Sequence, residues 1–278
     1  MVIQHNIAAI NSYRNLSGNQ SALSKNLEKL SSGYKINRAG DDAAGLAISE
    51  TMRSQIAGLN QAVNNANDAV GLIQTAEGAM TETHSMLQRM KTLTTQAANG
   101  TYTDTARTNI KAEIDALSAE ITRIATTTKF NGETPLNPQA AVQGKTTNLT
   151  FFIGASSDKT NAMTVAQKSM TAAALKVDKI TVNTTTAAFK AMASVDAAIE
   201  AVSSYRATLG AAQNRLEHTV NNLKVTSENI TSAESRIRDT DMADEITAYT
   251  KNNILLQAAQ SMLSQSNAMP QGVLSMLQ

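Results

Sequence analysis

The sequence contains no cysteine and no tryptophan, and it has only three prolines and three histidines. Without cysteine the chain forms no disulfide and offers no thiol nucleophile or cysteine-based zinc site. His5, His84 and His218 lie far apart, which excludes a two-histidine metal motif on one helix. Five tyrosines and four phenylalanines are fewer rings than the core and pocket walls of a compact enzyme normally use. We therefore expect no catalytic residue, no metal site and no cofactor.

The net charge is also close to zero: 24 lysines and arginines and 23 aspartates and glutamates give +1. No bulk field or basic cluster attracts nucleic acid. No apolar run approaches the ~20 residues that span a bilayer. The start of the chain, residues 1–12, has no lysine or arginine and so differs from a secretory signal. Taken alone, these absences predict a cytoplasmic protein with no membrane insertion. The 278 residues predict about two structural units.

The prolines lie at positions 135, 138 and 270, which leaves two long proline-free stretches. Both carry apolar residues spaced alternately by four and three positions, a pattern typical of helices packed along a coiled-coil-like seam. Polar residues fill some of these positions, and they favour one alignment because a shifted register would bury them unpaired. The apolar positions are Met52, Ile56, Leu59, Val63, Ala66, Val70, Ile73, Met80 and Leu87, then Ile110, Ile114, Leu117, Ile121 and Ile124, then Val195, Ile199, Val202, Leu209, Leu216, Val220, Leu223, Ile230 and Ile237; the polar positions are Arg206, Gln213, Ser227 and Glu234.

Local signals predict where the helices begin and end. Asp41 and Asp42 place carboxylates where a helix that begins near residue 43 has free N–H groups. Gly100 is a typical helix stop, and Thr103 is a typical cap for the next helix. The first of these helices would contain about 55 residues and extend ~80 Å. Helices of that length are characteristic of bundles and fibres.

The segment between residues 130 and 188 has a different pattern. Prolines and an Asn-Gly pair interrupt the helix, and threonine and asparagine become frequent. Residues 148–153 and 162–166 are predicted to be strands joined by a polar turn over residues 154–159, and residues 180–183 are a candidate third strand. We therefore predict a small β-hairpin region in the middle of a mainly α chain.

Each terminus is predicted to be an amphipathic helix, with a C-cap at residues 30–33, a cap at Asp241 and a disturbance of the last turns at Pro270. Two such helices bury too little apolar surface to offset the entropy of ordering them. We predict that they are mostly disordered in a free monomer and fold when packed among other copies. The candidate self-assembly residues are Ile3, Ile7, Ile10, Leu16, Leu23, Leu27, Leu30, Ile246, Tyr249, Leu256, Leu263, Leu274 and Leu277.

Several short motifs resemble those of bacterial flagellins. The longest is NRAGDDAAGLAIS at residues 37–49, and the similarity extends over about residues 1–132 and 190–278. Agreement at so many separate motifs is far more specific than a generic coiled coil. The other motifs are QTAEGA at 74–79, KFNG at 129–132, LGAAQNRL at 209–216, ESRIRD at 234–239 and NNILLQAA at 252–259.

The resemblance implies a structural subunit, not an enzyme, that self-assembles into the extracellular flagellar filament. It implies a mainly α fold in which long antiparallel coiled-coil-like helices form a rod domain, beside a terminal two-helix domain and a small β-hairpin region. The boundaries that we expect are an N-terminal inner-tube helix at 1–34, a linker or hinge at 35–43, rod-domain helices at 44–129, a short variable region at 130–188, the C-terminal rod helix at 189–237 and the C-terminal inner-tube helix at 238–278.

The implied partners are copies of the same chain, the flagellar type III export apparatus and its export chaperone, and the filament cap and hook-associated proteins. Export through the hollow organelle would place the protein outside the cell although it lacks a secretory signal. The alternative within the same class is a hook–filament junction protein. A protease insert would need a His-Glu-x-x-His helix, and residues 130–190 contain no histidine.

The resemblance also assigns a second role to three positions. Arg89, Leu93 and Glu113 match residues that, in many flagellins, contact a vertebrate toll-like receptor. Arg89 and Leu93 are expected on a stripe offset from the Met80–Leu87 seam. A face of this kind would be covered by a neighbouring subunit in the filament, so the receptor would detect only monomers. Lys91 and Thr92 replace an Arg-Glu pair found in a common pattern, which removes a carboxylate beside Arg89.

Overall fold

A computed structural model describes residues 6–138, 148–156 and 158–276 of the chain. Five α-helices dominate these residues, with one antiparallel pair of short strands between the third helix and the fourth. The helices are α1 (Ile7–Ser32), α2 (Ala43–Ala98), α3 (Asp104–Thr127), α4 (Thr185–Arg238) and α5 (Met242–Met276), and the strands are β1 (Asn148–Phe152) and β2 (Ala162–Ala166). The predicted mainly α fold with a small β-hairpin is confirmed.

The chain divides into two compact units. The terminal unit comprises residues 1–54 and 228–278. It contains α1, α5, the first turns of α2 and the last turns of α4. The central unit comprises residues 55–227 and contains the rest of α2 and α4, all of α3 and the two strands.

The helix boundaries follow from the caps that the sequence indicates. Gly33 ends α1 with a φ of 76°, a left-handed conformation that glycine adopts without a steric penalty. The Asp42 carboxylate accepts the backbone N–H of Gly45 at the start of α2 (3.0 Å), and α2 is 56 residues long. The Thr103 hydroxyl accepts the N–H of Ala106 to begin α3. Each cap satisfies N–H or C=O groups that a helix end leaves without a partner.

The central unit has one apolar core along the facing sides of its helices. Leu59, Ile73 and Leu87 are buried in it, as the spacing predicts. The second line of the α2 seam differs from the prediction, because Val63 and Val70 are only partly buried. In the central unit most buried positions of α2 follow a continuous three-four spacing, and Leu72 and Leu93 beside this line are buried as well: the line is Leu59, Ala62, Ala66, Ala69, Ile73, Ala76, Met80, Thr83, Leu87, Met90, Thr94 and Ala97.

The same correction applies to α4. Its buried positions place Ala198, Tyr205 and Ala212 where the pattern indicated Ile199, Arg206 and Gln213. Positions three and four residues from a seam residue both lie near the seam, so the spacing alone cannot distinguish them. The buried line contains many alanines because small side chains let helices pack closely.

Polar side chains join the helices at the edges of the central core. Arg206 of α4, a polar position of the predicted seam, pairs with Glu77 of α2 at 3.4 Å. Arg107 of α3 is buried, and its guanidinium donates to the carbonyls of Ala97 and Asn99 at the end of α2. Arg107 thereby occupies carbonyls that the helix end leaves without an internal partner.

The strands pair in one register, with Asn148 opposite Ala166 and Phe152 opposite Ala162. Met163 and Val165 of β2 turn into the core, which agrees with the period of two along a strand. The candidate third strand at residues 180–183 is absent from the described residues. That segment is coil with Ile180 and Val182 buried, so its alternating apolar side chains reflect packing on the core without a strand partner.

Candidate self-assembly surface of the terminal helices

In the terminal unit, α1 and α5 pack side by side in opposite directions. The Asn6 side chain, at the start of α1, donates to the carbonyl of Ser266 near the end of α5 (2.9 Å). At the other end of α1, Lys29 Nζ lies 3.8 Å from the Glu245 carboxylate in the first turn of α5. Two contacts in this order require an antiparallel pair.

The structure corrects the expected effect of Pro270, because α5 continues through it to Met276. A proline has no N–H, so the carbonyl four residues earlier, that of Ser266, loses its helical partner. The amide of Asn6 donates to that carbonyl. The Asn6 side-chain oxygen also caps α1 by accepting the N–H of Ala9 (3.0 Å). One asparagine side chain therefore serves both helices.

The seam between α1 and α5 is only half apolar. Along each helix the partly or fully buried positions recur every three and four residues, but leucine alternates there with small or polar side chains. Such a seam contributes less burial per turn than the central core, and its polar members favour a single register. The seam positions are Ala9, Ser12, Leu16, Asn19, Leu23, Asn26 and Leu30 in α1, and Tyr249, Asn252, Leu256, Ala259, Leu263 and Ser266 in α5.

Large apolar side chains lie outside this seam and are exposed. In α1, Ile7 and Ile10 are 60% and 50% exposed. In α5, Ile254 is 61% exposed, and its neighbour Leu255 points from a different face of the helix. A monomeric soluble protein rarely exposes so much apolar surface, and extensive exposure marks an interaction site. The remaining exposed members are Tyr13, Leu27, Met242, Ile246, Met262 and Met269.

The predicted assembly residues therefore fall into three groups. Ile7, Ile10, Leu27 and Ile246 are exposed. Ile3 and Leu277, together with the side chain of Leu274, lie outside the described residues. The third group, which is partly buried in the seam between the two helices, consists of Leu16, Leu23, Leu30, Tyr249, Leu256 and Leu263.

Sequence reasoning missed Tyr13, Ile254, Leu255, Met262 and Met269, which are all exposed. They lie outside the apolar line that the spacing predicts as the seam of each helix. Their signal was an excess of apolar residues beyond what one buried face of a helix can hold.

The three candidate receptor residues do not share one surface. The Arg89 guanidinium pairs with the Glu113 carboxylate at 2.8 Å, and both side chains are about half exposed. Leu93 is only 2% exposed and packs in the core of the central unit, together with Leu87 and Met90. Arg89 and Leu93 are four residues apart and lie on one stripe of the helix, but that stripe is not one exposed surface, because Leu93 is covered. Leu93 stabilises the helix that presents Arg89.

Within the described residues, we find no group of three or more histidine, aspartate or glutamate side chains placed to hold a metal ion. In the same residues no helix has the length and apolar character that crossing a membrane requires. His84 is partly buried, and its Nε2 lies 3.0 Å from the side-chain nitrogen of Gln88.

Helices with half-polar seams and exposed apolar side chains define a class of protein, the structural subunit that completes its packing with other molecules. Residues 3–141 match the N-terminal helical region of bacterial flagellin, and residues 192–277 match its C-terminal helical region. The chain belongs to the bacterial flagellin family. The predictions that it is a structural subunit of a flagellar filament and not an enzyme are confirmed by this membership.

Individual relatives agree with the family. The chain is 49% identical over 303 aligned positions to the flagellin of Bacillus subtilis strain 168, with all of both chains covered. It is 46% identical over 279 positions to the flagellin of Halalkalibacterium halodurans, again over all of both chains. Among solved structures, the crystal structure of Bacillus cereus flagellin matches 62% of this chain and 94% of its own, with 30% identity and a TM-score of 0.50. These relatives are flagellins and do not support the alternative of a junction protein.

Proposed function

We propose that the subunits assemble through α1 and α5, and that these helices acquire their full stability only in the filament. The observation that carries this proposal is the combination of a half-polar seam with exposed isoleucines at positions 7, 10 and 254. Neighbouring copies that cover these side chains add the apolar burial that the isolated pair lacks. Filament growth and folding of the termini are then one coupled process.

Growth without limit requires contacts that do not close on themselves. A heterologous contact, in which one face of a subunit meets a different face of the next, generates a helical filament when its rotation does not close a ring. The exposed apolar residues of α1 and α5 differ in identity and spacing, so the two helices offer two unlike faces. We infer that a face of α1 packs against a face of α5 from another copy.

The proposed location is the extracellular filament, reached by passage of the unfolded chain through the flagellar type III export apparatus with its export chaperone. A cysteine-free chain cannot be trapped by disulfides during such passage. A weak α1–α5 seam also lowers the free energy needed to unfold the termini before export. The filament cap and the hook-associated proteins are the further partners expected at the two ends of the filament.

For recognition by a vertebrate toll-like receptor, we propose that Arg89 and Glu113 act together as an exposed ion pair. The buried Leu93 would act only by supporting α2. The monomeric Arg89→Ala variant should lose receptor activation, and a Glu113→Gln variant should lose part of it. An unchanged response from both monomers would refute this assignment.

The assembly proposal is tested with purified monomer and sheared filament fragments as seeds. Electron microscopy should show long extensions of the seeds, which a junction protein would not produce. Circular dichroism at 222 nm should show a gain of helix as monomer enters filaments. Extension without any gain of helix would refute the coupled folding of the termini but leave assembly intact, and failure to extend any seed would refute the proposed function itself.

A further inference from the structure

The C-terminal end of α1 and the N-terminal end of α5 are joined by backbone hydrogen bonds. The N–H of Lys35 donates to the carbonyl of Arg238, the last residue of α4 (2.6 Å), and the N–H of Thr240 donates to the carbonyl of Gly33 (3.0 Å). Tyr34 and Asp239 form an isolated antiparallel bridge between these two bonds. The segment that leaves α1 and the segment that enters α5 are thus paired side by side.

The Arg238 side chain reinforces this pairing from α4. Its guanidinium is 4.7 Å from the centroid of the Tyr34 ring and donates to the Glu50 carboxylate near the start of α2 at 2.5 Å. The side chain is only 11% exposed. Its hydrogen bond to Glu50 holds the pKa of that carboxyl below its usual range. We call Tyr34, Lys35, Glu50, Arg238 and Thr240 the Arg238 clasp.

The connection between α1 and α2, which the sequence indicates as a hinge, has a defined conformation beside the clasp. Ile36 is buried, and the Asp41 carboxylate accepts the backbone N–H groups of Arg38 and Asn37 at 3.1 and 3.2 Å. Gly45 lies so close that a Cβ atom there would be 2.8 Å from Ile36 Cδ1. These contacts contrast with the half-polar seam of α1 and α5.

From this contrast we infer that the Arg238 clasp is already formed in the free subunit and holds the adjoining ends of α1 and α5 together before these helices fold. The inference rests on the proposed coupling of folding to assembly. It assigns to Arg238 a positioning role in filament growth, because it would set the point from which the antiparallel pair forms and the register in which it forms.

The advantage of a preformed clasp is entropic. Two disordered tails that meet only in the filament must first close the loop between them and then nucleate each helix. When their adjoining ends are already paired, loop closure is complete and pairing can extend from the clasp toward the contact between Asn6 and Ser266. Loss of the clasp should therefore slow elongation more than it weakens the finished filament.

The test compares Arg238→Gln with a matched control, Arg236→Gln. Both changes remove one arginine charge from the last turn of α4, but Arg236 is exposed, and its described hydrogen bond is to the Ser232 hydroxyl on the same helix. The first measurement is amide hydrogen exchange in the free subunit. We expect protection at Lys35 and Thr240, rapid exchange in the middle of α1 and α5, and about tenfold less protection at the two clasp amides in Arg238→Gln.

The second measurement is the rate at which each variant extends wild-type seeds at a fixed monomer concentration. Arg238→Gln should elongate about tenfold more slowly, and Arg236→Gln should elongate at the wild-type rate. If Arg238→Gln lowers the melting temperature of the central unit, the milder Glu50→Gln replaces it, with the same expectations at smaller amplitude.

Three results would overturn the inference: unprotected amides of Lys35 and Thr240 in the wild-type free subunit, equal elongation by the Arg238 and Arg236 variants, or rapid exchange confined to the clasp. Failure of the wild-type protein to extend seeds is a different outcome, because it refutes the proposed function while the exchange measurement still tests whether the clasp is formed.

Discussion

Replacing the exposed isoleucines of the terminal helices by glutamine should raise the monomer concentration needed for growth without destabilising the monomer. Ile7, Ile10 and Ile254 are 60%, 50% and 61% exposed, so half or more of each residue's surface remains to be buried by neighbouring copies. Full burial of an isoleucine contributes about 2 kcal/mol, and the unburied share is thus about 1 kcal/mol per residue. The triple variant should lose about 3 kcal/mol of assembly free energy, which corresponds to a rise of roughly a hundredfold in critical concentration.

The assay measures the concentration of monomer that remains in equilibrium with seeded filaments. A matched control replaces three exposed polar residues of the same helices, as Asn15→Gln, Gln20→Asn and Gln260→Asn. The control should leave the critical concentration unchanged, and both triple variants should keep the thermal unfolding temperature of the wild-type monomer. A critical concentration that stays within about threefold of wild type in the isoleucine variant would refute the assignment of these side chains to subunit contacts.

Three further results are expected. Met80→Ala, at a fully buried position of the central core, should lower the free energy of unfolding of the monomer by about 2–5 kcal/mol in a denaturant titration. Asn6→Asp keeps the helix cap but removes the donor to the Ser266 carbonyl of α5, so it should lower the melting temperature of the filament. In a Pro270→Ala background the alanine N–H binds that carbonyl, so Asn6→Asp should no longer lower the melting temperature. An equal decrease with Pro270 and with Ala at that position would disprove the connection between Asn6 and Pro270. Hydrogen bonds lower the pKa values of Asp41 and Glu50 in the folded state, so the stability that these carboxylates contribute should be complete at neutral pH and be lost as pH falls below about 4. Amide exchange measures this loss at Asn37 and Arg38 for Asp41, and at Lys35 and Thr240 for Glu50. Protection that stays constant to about pH 2 would contradict this.

The α2 seam shows where a periodic pattern loses its power to predict burial. Leu59, Ile73 and Leu87 could be assigned from spacing, because a residue on the central line of a seam is buried whichever side the partner takes. Val63 and Ala62 flank that line on opposite sides. Hydrophobicity favours the valine, but the partner helices cover the alanine. The choice depends on the position of another helix, which no local pattern contains.

The burial of Leu93, a candidate receptor residue, could not be predicted from spacing either. Its spacing from Arg89 suggested a shared surface, and the structure buries it in the central core. The ion pair between Arg89 and Glu113 joins residues 24 positions apart on two different helices, so it depends on how α2 and α3 pack. The family resemblance supplied all three positions, but it carried no information about which of them remain accessible in this chain.

The positions of helix ends and turns could be predicted from the local sequence. Gly33, Thr103 and Asp241 stop or start helices through conformations and hydrogen bonds that reach only a few residues along the chain. Contacts between distant residues could not be predicted in this way. They include the hydrogen bond from Asn6 to the Ser266 carbonyl, and the contacts of Arg238 with Glu50 and the Tyr34 ring. Short-range bonds are encoded by neighbouring residues, whereas long-range bonds exist only after packing has brought the distant segments together.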